Sequence, residues 1–292
     1  MTTLDIVRNA GALSWVAMCA GLMGAVPPHL TAAQRGDAVR LYVLDGGTLT
    51  IGDPTVFGLT RDDVPDLTTM PVPAFLVVHP KGALLWDTGL GDQLIGGSSS
   101  ETQRGTMRQL VTQPLKGQLA AIGYPPEKIN YLGLSHMHFD HVGNANDFAG
   151  PATTWLVQKV ERDAMFGDNV TPQAINPDYA ALKNANTRLL NGDHDVFGDG
   201  TVVIKATPGH TVGHQVLFLK LPKTGPIVLS GDLYHYPAER TLGRMPDREK
   251  TAGTAESRAR VEALLKETGA QLWVGHDIVG FAKLKKSPEY YD

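Results

Sequence analysis

Thiol chemistry is almost absent from this chain. Its single cysteine, Cys19, lies in an apolar N-terminal run, which excludes an internal disulfide and leaves no thiolate for the rest of the sequence. Positive charge is also in short supply. Lys and Arg number 26 against 30 Asp and Glu, for a formal net charge of -4, and the one small basic cluster, Lys283 to Lys286, sits near the C-terminus. That balance excludes the basic field by which a protein attracts nucleic acid. No repeat at a solenoid period occurs. Nor is there an apolar run of the about 20 residues that a comfortable membrane span requires. Ala10 to Val26, uncharged and preceded by Arg8, has instead the length of a signal-peptide core, and Thr31-Ala32-Ala33 offers small residues for cleavage before Gln34. Residues 1–33 are therefore expected to be a signal peptide and residues 34–292 a single domain that is periplasmic or secreted, with no stable membrane association once the leader is removed. A retained N-terminal helix would instead cover an apolar groove or build a homodimer contact.

Histidine is what the chain concentrates. Ser135-His136-Met137-His138-Phe139-Asp140-His141-Val142-Gly143 gathers three imidazoles and a carboxylate within six residues, directly after Ile129 to Leu134, which reads as a short buried strand. On an extended backbone His136 and His138 point to one side and can grip one ion. The turn after Phe139 swings Asp140 and His141 towards a second. Imidazole nitrogen and carboxylate oxygen are the usual ligands of zinc, and without thiolate the set also suits manganese, iron or cobalt.

The rest of the chain has an α/β rhythm. Strands are expected at 40–45, 74–79, 83–86, 129–134, 153–157, 202–206, 215–221, 227–229 and 271–274, and helices at 110–122, 180–190 and 255–266. The segments from Gly46 to Met70 and Gly91 to Arg104 read as loops. Several strands end directly in ionisable residues: Asp87-Thr88-Gly89, then Thr207-Pro208-Gly209-His210-Thr211-Val212-Gly213-His214, then Gly231-Asp232, then Gly275-His276-Asp277. The architecture implied is two mixed sheets packed together with helices outside and the strand-end loops gathered at one edge.

If those exits meet the first loop, they complete two metal positions. The first takes His136, His138, His214 and Asp232, and the second Asp140, His141, His276 and Asp232, with the Asp232 carboxylate shared. Only one of His210 and His214 is needed, and the turn at Gly213 favours His214, leaving His210 to support the ligands from behind. Asp87 suits either direct ligation or a capping role behind the metals.

The ordered set His136-x-His138-x-Asp140-His141, then His214, Asp232 and His276, resembles the metallo-β-lactamase superfamily over residues 38 to 285. Within it the chain is similar to the N-acyl-homoserine lactonases, on Leu41-Tyr42-Val43-Leu44, Pro71 to Leu76, Asp87-Thr88-Gly89, His138-Phe139-Asp140-His141, Pro208-Gly209-His210-Thr211, Gly213-His214-Gln215 and Gly275-His276-Asp277. The resemblance implies an αββα sandwich, two Zn2+ per chain and a small-molecule acyl-lactone substrate whose ring is opened by a metal-bridging hydroxide, which is quorum quenching. In the lactonases a tyrosine three residues after the bridging aspartate helps hold the lactone carbonyl; here His235 stands there, between Tyr234 and Tyr236, and can donate the same hydrogen bond. Asp140 is expected to carry the proton to the leaving alkoxide, and Phe139 to line the acyl trench. A phosphotriester hydrolase, or another ester or thioester hydrolase, is the alternative within the same superfamily.

Overall fold

The computed structural model describes residues 38–64, 68–102, 105–168, 170 and 176–292, so the expected leader, Cys19 and the cleavage point lie outside the described residues. Its first strand, β1 (Arg40–Ile51), outruns the expected 40–45. Gly46 and Gly47 read as a loop, yet they form a bulge: pairing with β2 (Thr69–His79) shifts between Asp45 and Thr48, and the strand then continues. A side chain at Gly46 would meet the Val72 carbonyl oxygen at 2.4 Å, so this crossing admits only glycine.

β3 (Gly82–Trp86) completes the expected hairpin with β2. The next polar stretch, expected as loop, forms a second hairpin of β4 (Ser98–Thr102) and β5 (Gly105–Leu110), and β5 pairs with the extension of β1. Leu110 thus belongs to a strand, and α1 (Leu115–Ala121) starts after Pro114. There follow β6 (Tyr131–Gly133), α2 (Phe139–Val142), β7 (Thr154–Gln158) and α3 (Lys159–Phe166). The helix expected at 180–190 is replaced by 3-10 turns over Pro177–Asn184 and by β8 (Thr187–Leu190), whose parallel pairing with β7 outweighs its weak helical pattern. The remaining elements are β9 (His194–Asp195), β10 (Val202–Ala206), β11 (Gln215–Leu221), β12 (Gly225–Leu229), α4 (Pro237–Leu242), α5 (Thr254–Thr268), β13 (Gln271–Trp273) and α6 (Ile278–Lys283).

The strands form two mixed sheets, ordered β4-β5-β1-β2-β3-β6-β7-β8 and β13-β12-β11-β10-β9. Period-two alternation explains why both faces of each sheet are apolar. Leu41, Val43, Val77 and Trp86 of the first sheet meet Ile204, Leu217, Leu219 and Leu229 of the second, while Tyr42, Leu44 and Leu76 point the other way, onto Leu115 and Leu119 of α1 and Met165 of α3. On the far side, Val216, Phe218 and Val228 pack against Val261 and Leu265 of α5. Each such buried aliphatic or aromatic side chain contributes about 1.5–3 kcal/mol. The result is two mixed sheets flanked by helices, with the loops after β3, β6, β10, β12 and β13 at one edge.

Candidate metal centre

The first donor loop leaves β6 at Gly133 and is fastened from behind by Asp87 at the exit of the neighbouring β3. Asp87 Oδ1 accepts the Ser135 N–H at 2.6 Å and Oδ2 lies 3.0 Å from His141 Nδ1. Asp87 is the non-glycine residue with positive φ (58°) among the described residues. With one oxygen on the Ser135 N–H and the other on His141 Nδ1, Asp87 supports the loop from behind. His141 Nδ1 being engaged, its Nε2 faces inward. α2 begins at once, so His138 precedes it while Asp140 and His141 occupy its first turn.

Asp232, on the 3-10 turn after β12, lies between two groups of donors. Its Oδ2 is 3.7 Å from His136 Nε2 and 3.2 Å from His210 Nε2; its Oδ1 is 3.1 Å from His141 Nε2 and 3.0 Å from His276 Nε2. In the first group, His138 Nδ1 lies 2.9 Å from both His136 Nε2 and His210 Nε2. In the second, Asp140 Oδ2 lies 3.8 Å from His141 Nε2 and 3.6 Å from His276 Nε2. Spacings of this size match the donor-to-donor edge of about 3.3 Å in a tetrahedron of ligands at 2.0–2.1 Å from zinc. His141 Nε2 and Asp232 Oδ1 are buried without a hydrogen-bond partner, and a cation between the donors would satisfy both. The residues therefore fit divalent metal.

Burial, and after it the neighbouring imidazoles, hold His136 and His138 well below the ordinary histidine value, leaving them as the neutral bases that bind metal. Burial acts against charging His141 and His276 as well, but Asp232 and Asp140 outweigh it and raise both. Burial opposes ionisation of Asp232, yet the surrounding imidazoles, His276 foremost, keep its carboxyl well below the carboxylate range.

The observed donor group differs from the expected set at one histidine. His210, not His214, has its nitrogen in the donor set. Glu249 Oε1, 2.7 Å from His210 Nδ1, turns Nε2 of that ring inward. Both nitrogens of His214 are already committed: Nδ1 lies 2.9 Å from Thr207 Oγ1, and Nε2 accepts the Asp232 N–H at 3.1 Å. His214 thus sets the backbone of the shared aspartate, and burial pushes its imidazole down to about 3. The structure brings His136 and His138 together with His210 and Asp232, and Asp140 together with His141 and His276.

Nearby stand His235 and a set of carboxylates that the sequence did not single out. His235 is buried beside Asp232, with Nε2 3.4 Å from Asp232 Oδ2 and its ring 4.3 Å from that of Phe57. Tyr234 and Tyr236 do not join it: the Tyr234 hydroxyl donates to Glu262, and Tyr236 packs among Leu49, Phe57 and Met70. Glu161, in α3, accepts the Met137 N–H and the Thr211 hydroxyl on Oε1 and the Gly213 N–H on Oε2, at 2.7–3.0 Å, so it ties the first donor loop to the loop of His210. In sequence Glu161, Glu239 and Glu249 look like ordinary surface acids; their complete burial is a tertiary property.

The centre opens into a cleft of about 340 Å³. Its lining combines the apolar side chains of Leu49, Ile51, Val56, Phe57, Met70, Met107 and Phe139 with His138, Asp140, His210, His235, Arg248 and His276. Phe139 is 38% exposed, which fits a lining role rather than a core one. Val72 and Phe75 are core residues of β2 and do not line the cleft.

Residues 67–276 match the profile of the metallo-beta-lactamase superfamily. The chain is 31% identical over 274 residues to the N-acyl homoserine lactonase AttM of Azorhizobium caulinodans, covering 87% of this chain and 99% of that protein. It is 30% identical to the protein of the same name from Rhizobium johnstonii, covering 87% and 98%. Among solved structures, an N-acyl homoserine lactone hydrolase with the product N-hexanoyl-L-homoserine at its catalytic metal centre superposes with a TM-score of 0.70 at 25% identity, covering 87% of this chain and all of that one.

Proposed function

The chain belongs to the metallo-beta-lactamase superfamily of hydrolases, and from that membership and the geometry of its centre we propose that it opens the lactone ring of N-acyl-homoserine lactones at a dinuclear site holding two Zn2+. The observation that carries the reading is Asp232, with one oxygen in each donor group, in a cleft that also presents the apolar side chains of Leu49, Ile51, Val56, Phe57 and Met70. The names of the relatives, matched over nearly their whole length, select the lactone among esters. Two cations bound there would lower the pKa of a water towards about 7 and supply a Lewis acid for the carbonyl oxygen.

The chain's own residues do the rest. The apolar lining of Leu49, Ile51, Val56, Phe57, Met70 and Phe139 takes the acyl tail and directs the lactone head to the centre. His235 presents Nε2 at the cleft beside Asp232 and donates a hydrogen bond to the carbonyl oxygen as it gains charge. Asp140, whose Oδ2 faces the second donor group, receives a proton from the attacking water and passes it to the leaving alkoxide. Addition of one water across the acyl–oxygen bond yields the N-acyl-homoserine.

The test is a chromatographic assay of zinc-loaded protein against N-hexanoyl-homoserine lactone, with Asp232→Ala as control. Ring opening that vanishes in the variant is expected. A wild type that binds its metals and leaves the lactone intact would overturn the reading and move the search to phosphotriesters and thioesters.

A further inference from the structure

Two neighbouring histidines at this centre are each held from behind by a buried carboxylate, and their forward nitrogens have different surroundings. His210, held by Glu249, puts Nε2 within 2.9–3.2 Å of His138, His136 and Asp232, inside a donor group. His235 is held by Glu239, whose Oε1 lies 2.9 Å from Nδ1. Its Nε2 is buried without a hydrogen-bond partner, 3.4 Å from Asp232 Oδ2, and the residue lines the cleft with its ring 4.3 Å from that of Phe57.

Glu239 itself is unusually fixed. It is fully buried in the first turn of α4, and its Oε2 accepts the His235 N–H at 3.3 Å and Nη2 of Arg258 at 2.5 Å. Arg258, from α5, spends Nε on the Leu233 carbonyl at 2.8 Å and Nη1 on that of Arg244 at 2.5 Å, and its guanidinium lies 4.3 Å from the centre of the Tyr234 ring. The cation balances the carboxylate and stops it swinging away, so the chain His235–Glu239–Arg258 anchors one cleft residue to the helix layer outside the second sheet. With Arg258 beside it, the Glu239 carboxylate accepts from Nδ1, and the hydrogen bond from Nε2 to the substrate uses a second ring proton, the imidazolium form that Glu239 on one side and Asp232 on the other favour.

We propose that Glu239 is a positioning residue for the reaction, holding the His235 ring by Nδ1 so that Nε2 alone meets the carbonyl oxygen of the substrate. This rests on the reading of His235 as the carbonyl contact. A ring free to rotate would present that nitrogen only part of the time, and a contact that strengthens as the oxygen gains charge depends on placement.

The experiment is a double-mutant cycle on the zinc-loaded full chain, with Glu239→Gln, His235→Phe and the pair assayed on N-hexanoyl-homoserine lactone. Glu239→Gln should lower kcat/KM by about 10–100-fold, carried by kcat, with both metals retained. In the His235→Phe background the same change should cost less than about 3-fold, because its route of action is gone. Equal losses in both backgrounds would overturn the proposal, as would an unchanged kcat. A second readout is independent of the substrate: the proton NMR spectrum should hold an exchange-protected imidazole Nδ1–H signal that His235→Phe removes and Glu239→Gln shifts. Its absence from the wild type overturns the pairing. Its presence in a wild type that leaves lactones intact would overturn the lactonase reading alone.

Discussion

His210 faces the metal centre because Glu249, 2.7 Å from its Nδ1, holds the opposite edge of the ring, whereas His214 spends both nitrogens on Thr207 and Asp232. The two histidines should therefore fail differently. His210→Ala should lose metal from the first group on dialysis and at least about 100-fold in kcat/KM, and Glu249→Gln should weaken the same metal by about 10–100-fold. His214→Ala leaves the buried Asp232 N–H unpaired, so its first effect is a stability loss of about 1–3 kcal/mol. Metal analysis after equilibrium dialysis separates them: metal loss in His214→Ala with full occupancy in His210→Ala would refute the assignment.

Asp232 stands in both groups, so its removal should affect both metals at once. Asp232→Ala is expected to bind fewer than two equivalents at a zinc concentration that saturates the wild type. Chelation of the wild type should abolish turnover and lower the melting temperature, and zinc should restore both. A chelated enzyme that keeps its activity would rule out metal chemistry here.

Glu161 satisfies three donors from two loops. Glu161→Ala strands the Met137 and Gly213 N–H groups and the Thr211 hydroxyl in a buried place, at about 1–3 kcal/mol for each that finds no other partner. Urea unfolding should show the loss, and the first metal should weaken more than the second because both loops tied by Glu161 feed it. Unchanged stability and metal affinity would show that water or rotation replaces the carboxylate.

Phe139 offers the acyl tail an exposed ring at the edge of the cleft. Phe139→Ala should raise KM for a decanoyl substrate by about tenfold and leave a butanoyl substrate almost unaffected, since only a long tail reaches that surface. Steady-state kinetics across acyl lengths decide it; a uniform rise would place the ring against the lactone head instead.

Far from the centre, His79 supplies a pH dependence of stability. Its Nδ1 accepts the Lys81 N–H at 3.0 Å and its Nε2 donates to Asp199 at 2.9 Å, so the neutral ring is fully used. Burial is the largest influence and lowers its value; Asp199 offsets part of this. With a folded-state value below that of the unfolded chain, the unfolded state takes the proton first. The contribution is whole above about pH 6.5 and declines as pH falls from there towards the folded value. His79→Gln should flatten the fall in unfolding free energy between pH 7.5 and pH 5.5 relative to wild type, and equal slopes would contradict this.

Much of the fold was legible because its strands are short apolar runs ended by turn residues, and the donor loops because ionisable residues crowd at strand exits. The bulge at Gly46 and Gly47 was not, since two glycines read as a loop until β5 pairs with the strand beyond them. β8 was read as helix because its strand character comes from β7 beside it. His210 and His214 are four residues apart on one turn, and what separates them is Glu249, brought up by a distant part of the chain. Carboxylates that work from behind leave no local mark. Their role depends on burial, which pattern alone does not reveal.

The donors are split between the layers of the sandwich: His136, His138, Asp140 and His141 follow a strand of the first sheet, and His210, Asp232 and His276 follow strands of the second. A metal ion here is therefore also a rivet between two sheets whose ligands meet only when both are formed. An ion that needs donors from both sheets is expected to take hold late in folding. Zinc present during refolding should then leave the folding rate almost unchanged and greatly slow unfolding, making the loaded enzyme long-lived for kinetic reasons.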